Sequence, residues 1–226
     1  MTDTALIVMA RYPEEGKTKT RLARVIGDAQ AVTLYQAFLT DLAQHLGQHP
    51  LWSMHYTYTP ADVDYAAFLQ RLVPTYAPSI QSFAQQGEDF AARLHYAFQW
   101  AHEHGFARII VIGSDSPQIS PQIIEKARAA LDEVDLVLGP ADDGGYYLIA
   151  MRQPYDVFSG IPMSTSVVLQ MTLEAAQRQN LSVQLIDTLF DVDEYADMQC
   201  LAQLLAADSV LAPVTAAHLA TLRMLS

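Results

Sequence analysis

In Arg108-Ile-Ile-Val-Ile-Gly113 the residues after the arginine form an unbroken apolar run of strand length, with no polar residue on either alternating face. A strand reads this way when both its faces are covered, as happens to a central strand of a parallel α/β sheet. A half-solvated antiparallel strand would alternate instead. The rest of the chain therefore has to supply helices for two sides of a sheet.

It does so in sequence order. Strand-like runs at Ala5–Met9 and Ser53–Thr59 are separated by a helical pattern from about Arg21 to Leu46, in which Leu22, Val25, Leu34, Phe38 and Leu42 recur at helical spacing. A second amphipathic stretch, Phe90 to His104, stops at Gly105. Ser120-Pro121 marks the start of a helix reaching about Asp132, because proline suits the first helical position. Leu136–Leu138 and Tyr146–Met151 read as strands joined by a turn, and this pair is the one place where antiparallel pairing is expected. Met163–Ser166 opens a helix to about Arg178. Val183–Ile186 is a last strand, and helices near Tyr195–Ala207 and Thr215–Leu225 close the chain. About six strands result.

No linker or internal repeat divides residues 1–226, and a 51% hydrophobic composition is enough for one large core, so a single domain is expected. The N-terminus lacks a signal-peptide pattern and no apolar stretch is long enough to span a bilayer, which points to a cytoplasmic protein. The lone cysteine, Cys200, excludes an internal disulfide and reads as a small apolar helix residue. A net charge of −12 argues against nucleic-acid binding, whose affinity comes mainly from neutralising phosphates over a broad face.

Against that acidity stands one basic window. Arg11, Lys17, Lys19, Arg21 and Arg24, against only Glu14 and Glu15, give Arg11–Arg24 a local charge of +3. The window follows the first apolar run directly and contains Gly16. A strand feeding such a loop and then a helix presents free N–H groups and a positive dipole end, so the expected partner is a phosphate. Gly16-Lys17-Thr18 matches the end of a P-loop, but the glycine required five residues earlier is Arg11, and a true P-loop is excluded.

Three acidic motifs follow later strands. In Gly113-Ser-Asp115-Ser-Pro117 a carboxylate lies immediately past the buried run, where a metal on a nucleotide diphosphate would need it. Asp142-Asp143-Gly144-Gly145-Tyr146-Tyr147 combines acids with glycines that allow close backbone approach and tyrosines that can meet a sugar or base. Asp191-Val-Asp193 precedes a helix and could bring a second metal carboxylate across the cleft, with Asp197 favouring that helix's first turn. The sequence lacks H-E-x-x-H, G-x-S-x-G and G-x-G-x-x-G, so zinc protease, serine hydrolase and ordinary NAD enzyme drop out.

Taken in order, Gly16–Leu22, Gln86-Gly87-Glu-Asp89, Gly113–Pro117, Gly139–Tyr147, Ser164-Thr-Ser166 and Asp191–Asp193 resemble the bacterial DUF2064 proteins. These are also described as arsenosugar-biosynthesis glycosyltransferase-like, within the nucleotide-diphospho-sugar transferase (GT-A) superfamily. The resemblance spans roughly Ala5 to Leu201. It implies a GT-A, Rossmann-like three-layer α/β/α sandwich with a mostly parallel sheet, a nucleotide-activated donor and a divalent cofactor, Mg²⁺ or Mn²⁺. By motif, Asp115 and Asp193 are the expected metal ligands. Arg11, Gly16, Lys17, Lys19, Arg21, Gln86, Gly87 and Ser114 are expected on the nucleotide and its phosphates. Asp143, Gly144, Gly145, Tyr146, Ser164 and Thr165 are expected on the substrate, and Asp115, Asp143, Lys19 and Arg21 are the candidate catalytic groups. Met163 stands where a tryptophan often precedes the Ser-Thr pair.

The leading expectation is therefore a transferase that moves a glycosyl group from a nucleotide sugar to a small-molecule acceptor. A nucleotidyltransferase of the phospholactate guanylyltransferase or sugar-phosphate activating kind, working on a nucleoside triphosphate, is the second, since a strongly basic first loop suits a triphosphate. A nucleotide-binding protein without catalysis is the third.

Overall fold

The structure, a computed structural model, describes residues 2–224. One sheet of seven strands runs through it in the order β3-β2-β1-β4-β6-β5-β7. β1 (Thr4–Arg11) lies inside it, next to the central strand, parallel to β2 (Ser53–Thr59) on one side and to that central strand, β4 (Arg108–Gly113), on the other. β3 (Gln81–Ala84) forms one edge, parallel to β2. β6 (Tyr146–Met151) runs antiparallel to both β4 and β5 (Leu136–Pro140), and β7 (Val183–Leu185) lies parallel to β5 at the other edge. The mid-chain pair is antiparallel, as its short connection requires.

Alternation along β1 splits the core in two. Leu6 and Val8 face α2 (Asp28–Leu46), α3 (Tyr65–Leu72), α5 (Pro121–Ala130), α7 (Tyr195–Ala207) and α8 (Pro213–Thr221). Ala5, Ile7 and Met9 face α4 (Phe90–Glu103) and α6 (Val168–Arg178). The result is a three-layer α/β/α sandwich whose mostly parallel sheet is covered on both sides.

Four sequence expectations are corrected. The long helical pattern from Arg21 is two helices, α1 (Thr20–Ile26) and α2, broken at Gly27, whose φ of +86° only glycine adopts without strain. β3 was missed because a four-residue, half-exposed Gln-Ser-Phe-Ala edge carries almost no pattern. α3 was missed although Tyr65, Phe68 and Leu69 have helical spacing and Asp64 caps it by accepting the Ala67 N–H at 2.8 Å. α6 starts at Val168 rather than Met163, because Ser164 adopts a left-handed φ of +65° and residues 163–167 form a loop. α8 ends at Thr221, and the expected end at Leu225 lies outside the described residues.

Candidate active site

From β1 the chain builds outward to β2 and β3, then returns to the other side of β1 with β4. That reversal opens a crevice beyond the carboxyl ends of β1 and β4, the place where open α/β sheets bind ligands. β6 runs the other way, so its first residues reach the same edge.

Two adjoining cavities occupy the crevice. The first, about 640 Å³, is walled by the loop after β1, with Arg11, Gly16, Lys17, Lys19 and Arg21 all on its surface. The second, about 340 Å³, is walled by Asp143, Gly145, Tyr146, Ser164 and Thr165. Met9, Arg21, Phe90, Asp115 and Asp193 border both, so they form one cleft with two lobes.

At the junction lies an ion triad. Lys19 Nζ is 2.7 Å from Asp115 Oδ1 and 2.8 Å from Asp193 Oδ1. The lysine is the first residue before α1 and takes a left-handed φ of +46°, a conformation costly for a side chain-bearing residue. Its side chain is 6% exposed, whereas Asp115 and Asp193 are 36% and 49% exposed. Burial opposes the ammonium's charge, but the two carboxylates outweigh it and hold the Lys19 pKa above its ordinary value. For Asp193, burial opposes ionisation and the Lys19 ammonium overcomes it, leaving the pKa below the ordinary carboxylate value.

Beside the triad, Asp191 is partly buried and receives a hydrogen bond from Ser116. Burial raises its pKa to about 6 despite that bond, with Asp115 adding like-charge repulsion. Asp197 does what its position suggested, accepting the N–H groups of Asp193 and Glu194 at 3.0 and 2.8 Å at the start of α7.

The loop after β1 is held by its own turn. The Lys17 and Thr18 amides donate to the Glu14 carbonyl at 3.1 and 3.0 Å, and the buried Thr18 hydroxyl accepts the Glu14 N–H at 2.8 Å. Lys17 itself is exposed and pairs with Glu14 at 3.0 Å. Arg21 is exposed, with Glu194 at 3.8 Å, and is free to serve either lobe. Ser114 is buried, and its Oγ lies 2.8 Å from the Tyr35 hydroxyl, which also accepts the Arg11 N–H at 3.0 Å. Burial and the nearby Asp115 push the Tyr35 hydroxyl up to about 12, so it stays protonated.

Not every expected residue lines the cleft. Gln86 and Gly87 are exposed and outside both lobes, whereas the neighbouring Gln85 lines the first and ties Ala10 to Thr57 by donating to both carbonyls, at 3.1 and 3.0 Å. Gly144 also lies off the wall. It has a φ of +89°, and a Cβ there would run into the Ser166 carbonyl, so its smallness lets two loops touch. Tyr146 presents its ring to the second lobe, while its hydroxyl is buried beside Thr172 of α6. Asp143 is exposed and has one oxygen engaged with the Gly145 N–H at 2.9 Å, leaving the other available.

Sequence reasoning also passed over Tyr35, Phe90 and Arg93, all on the first lobe. Phe90, the first residue of α4, is 47% exposed where the two lobes meet.

A divalent ion fits this junction by donor chemistry and by a stand-in. Asp115 and Asp193 present two hard carboxylate oxygens that already converge on one cation, although that cation is the Lys19 ammonium. Among the described residues no cluster of three or more acidic, imidazole or thiol side chains is gathered for a metal, so coordination would have to be completed by ligand and water.

The family model described as "Uncharacterized protein conserved in bacteria (DUF2064)" matches residues 39–165. The solved structure of a candidate nucleotide-diphospho-sugar transferase from Desulfovibrio desulfuricans G20 is similar to this chain at 34% identity and a TM-score of 0.90, covering 100% of this chain and 97% of that one. A cytidylyltransferase from Leptospira borgpetersenii serovar Hardjo-bovis (strain JB197) shares the fold at 11% identity and a TM-score of 0.55, over 92% of this chain and 88% of its own. So does 4-diphosphocytidyl-2C-methyl-D-erythritol synthase from Anaerococcus prevotii DSM 20548, at 9% identity and a TM-score of 0.56, over 87% and 92%. A search of the curated proteins gives no match. No helix among the described residues is long and apolar enough to cross a membrane.

Proposed function

The chain belongs to the DUF2064 family, and on that footing we propose that it is a transferase acting on a nucleotide-activated sugar. The nucleotide lies in the first lobe and a small-molecule acceptor in the second. The observation that carries this reading is the meeting of Lys19, Asp115 and Asp193 at the junction of the two lobes, on the sheet edge where the strand order reverses. A bond between two substrates has to be exchanged at such a junction.

The chain's own residues supply most of the chemistry. Arg11, Lys17 and Arg21 neutralise the diphosphate, and the Arg21 guanidinium, bordering both lobes, stabilises charge that builds on the departing phosphate. The free oxygen of Asp143 orients an acceptor hydroxyl and takes its proton as the new bond forms. The Tyr146 ring and the Ser164–Thr165 loop give the acceptor an apolar face and hydroxyl partners. Asp115 and Asp193 would hold a divalent ion, Mg²⁺ or Mn²⁺, which when bound supplies Lewis-acid stabilisation of the diphosphate.

Nucleotidyl transfer is the second reading, favoured by the number of cations on the first lobe, where Arg93 joins Arg11, Lys17, Lys19 and Arg21. Incubation with a panel of nucleotide sugars and, separately, of nucleoside triphosphates with sugar phosphates decides between them. Release of a nucleoside diphosphate from a nucleotide sugar, lost at least a hundredfold in Asp115→Asn, supports glycosyl transfer. Pyrophosphate release from a triphosphate, with no nucleotide sugar turned over, replaces it with the second reading.

A further inference from the structure

The Lys19 ammonium lies where a metal shared by Asp115 and Asp193 would have to lie. A cation held at 2.7 and 2.8 Å from two carboxylate oxygens cannot coexist with a divalent ion between the same oxygens, because the two positive charges would be nearly in contact. The lysine is also the residue on the loop that can leave: it belongs to the wall of the first lobe, among Arg11, Lys17 and Arg21, where a diphosphate would offer its ammonium a second set of anionic oxygens. Its left-handed backbone at the mouth of α1 is a strained conformation of the kind found at ligand sites.

We propose that Lys19 is a displaceable counter-cation, which keeps divalent ions off the Asp115–Asp193 pair until a nucleotide diphosphate draws its ammonium away. The nucleotide half of this statement rests on the function proposed above; the blocking half does not. The carboxylates are never left bare, so the cleft gains its metal only together with its phosphate ligand. Because coupling is reciprocal, the ion should also raise nucleotide affinity by the same factor.

Mn²⁺ binding to the full chain, followed by electron paramagnetic resonance of the free ion without nucleotide, tests the blocking half. Lys19→Met should bind Mn²⁺ at least tenfold more tightly than the native chain. Asp115→Asn added to Lys19→Met should abolish that gain, and Lys126→Met, an equal loss of charge on α5, should change affinity less than twofold. Equal affinity in the native chain and Lys19→Met, or a gain that survives Asp115→Asn, would overturn the proposal. Should the melting curve show Lys19→Met unfolded, Lys19→Gln, neutral but able to donate hydrogen bonds, takes its place. Adding UDP, GDP or CDP to the native chain should raise Mn²⁺ affinity at least tenfold for the base it accepts. If no nucleotide binds while the Lys19→Met gain holds, the function proposed above fails and the blocking role stands.

Discussion

The Tyr35 hydroxyl lies 2.8 Å from Ser114 Oγ, tying the middle of α2 to the residue before Asp115. The same oxygen accepts the Arg11 N–H at 3.0 Å, so one phenol fixes both rims of the first lobe. Tyr35→Phe leaves a buried serine hydroxyl and a backbone donor short of a partner, at a cost of about 1–3 kcal/mol. The expected outcome is a lower urea midpoint with an unchanged slope, together with weaker nucleotide binding by calorimetry. Loss of stability with nucleotide affinity intact would show that the phenol serves only the core.

Gly144→Ala forces a side chain into the Ser166 carbonyl at a φ of +89°. The loop carrying Ser164 and Thr165 has to move away from the second lobe, while the first lobe has no contact with the change. The acceptor KM should rise several-fold and the nucleotide Kd should stay within twofold, both read from steady-state kinetics and calorimetry on the same preparation.

Acid should destabilise the protein through His55. The imidazole is 1% exposed on β2, neither of its nitrogens has a partner among the described residues, and the rings of Trp100 and Phe106 stand edge-on to it at 5.1 and 5.4 Å. Burial, helped by the nearby His104, lowers its pKa from about 6.5 to about 4. The unfolded chain therefore takes up the proton first, and stability falls as pH drops from about 6.5 towards 4, by roughly 3 kcal/mol for this group. His55→Phe should flatten the urea-derived stability profile across that window. A profile as steep as that of the native chain would assign the acid sensitivity to other groups.

Asp41 anchors the last helix. Fully buried on α2, its two carboxylate oxygens accept the Val214 and Thr215 N–H groups at the start of α8, at 2.9 and 2.8 Å. Asp41→Ala removes a cap from one buried and one partly buried N–H group, at an expected cost of about 2 kcal/mol. Hydrogen exchange should show α8 opening first, with the α4 and α6 face unchanged.

The elements that a single sequence declares are those whose pattern is local. The doubly buried β4, the paired β5 and β6, and α4 behind Asp89 were legible because an apolar run or a cap states them outright. β3 was not, since an edge strand is specified by the neighbour it pairs with. The site divides in the same way. Asp115 and Asp193 follow from their place after buried strands or before a helix, and the structure brings them together across a 78-residue separation. Tyr35 could not be found, because on α2 it looks like any other apolar helix position and only the fold shows its hydroxyl meeting β1 and β4.

The reversed direction of β6 has a consequence for specificity. Because β6 delivers Asp143–Tyr146 to the cleft through a hairpin, the second lobe is assembled largely from contiguous stretches of the later half of the chain, while the walls of the first come mostly from residues 9–93. The two share little beyond Asp115, Asp193, Arg21, Met9 and Phe90. On the function proposed above, an insertion in the hairpin or in residues 163–167 changes the acceptor that the second lobe takes and leaves the nucleotide in the first undisturbed. On that reading, acceptor choice and donor choice are separable by changes in different stretches of the chain.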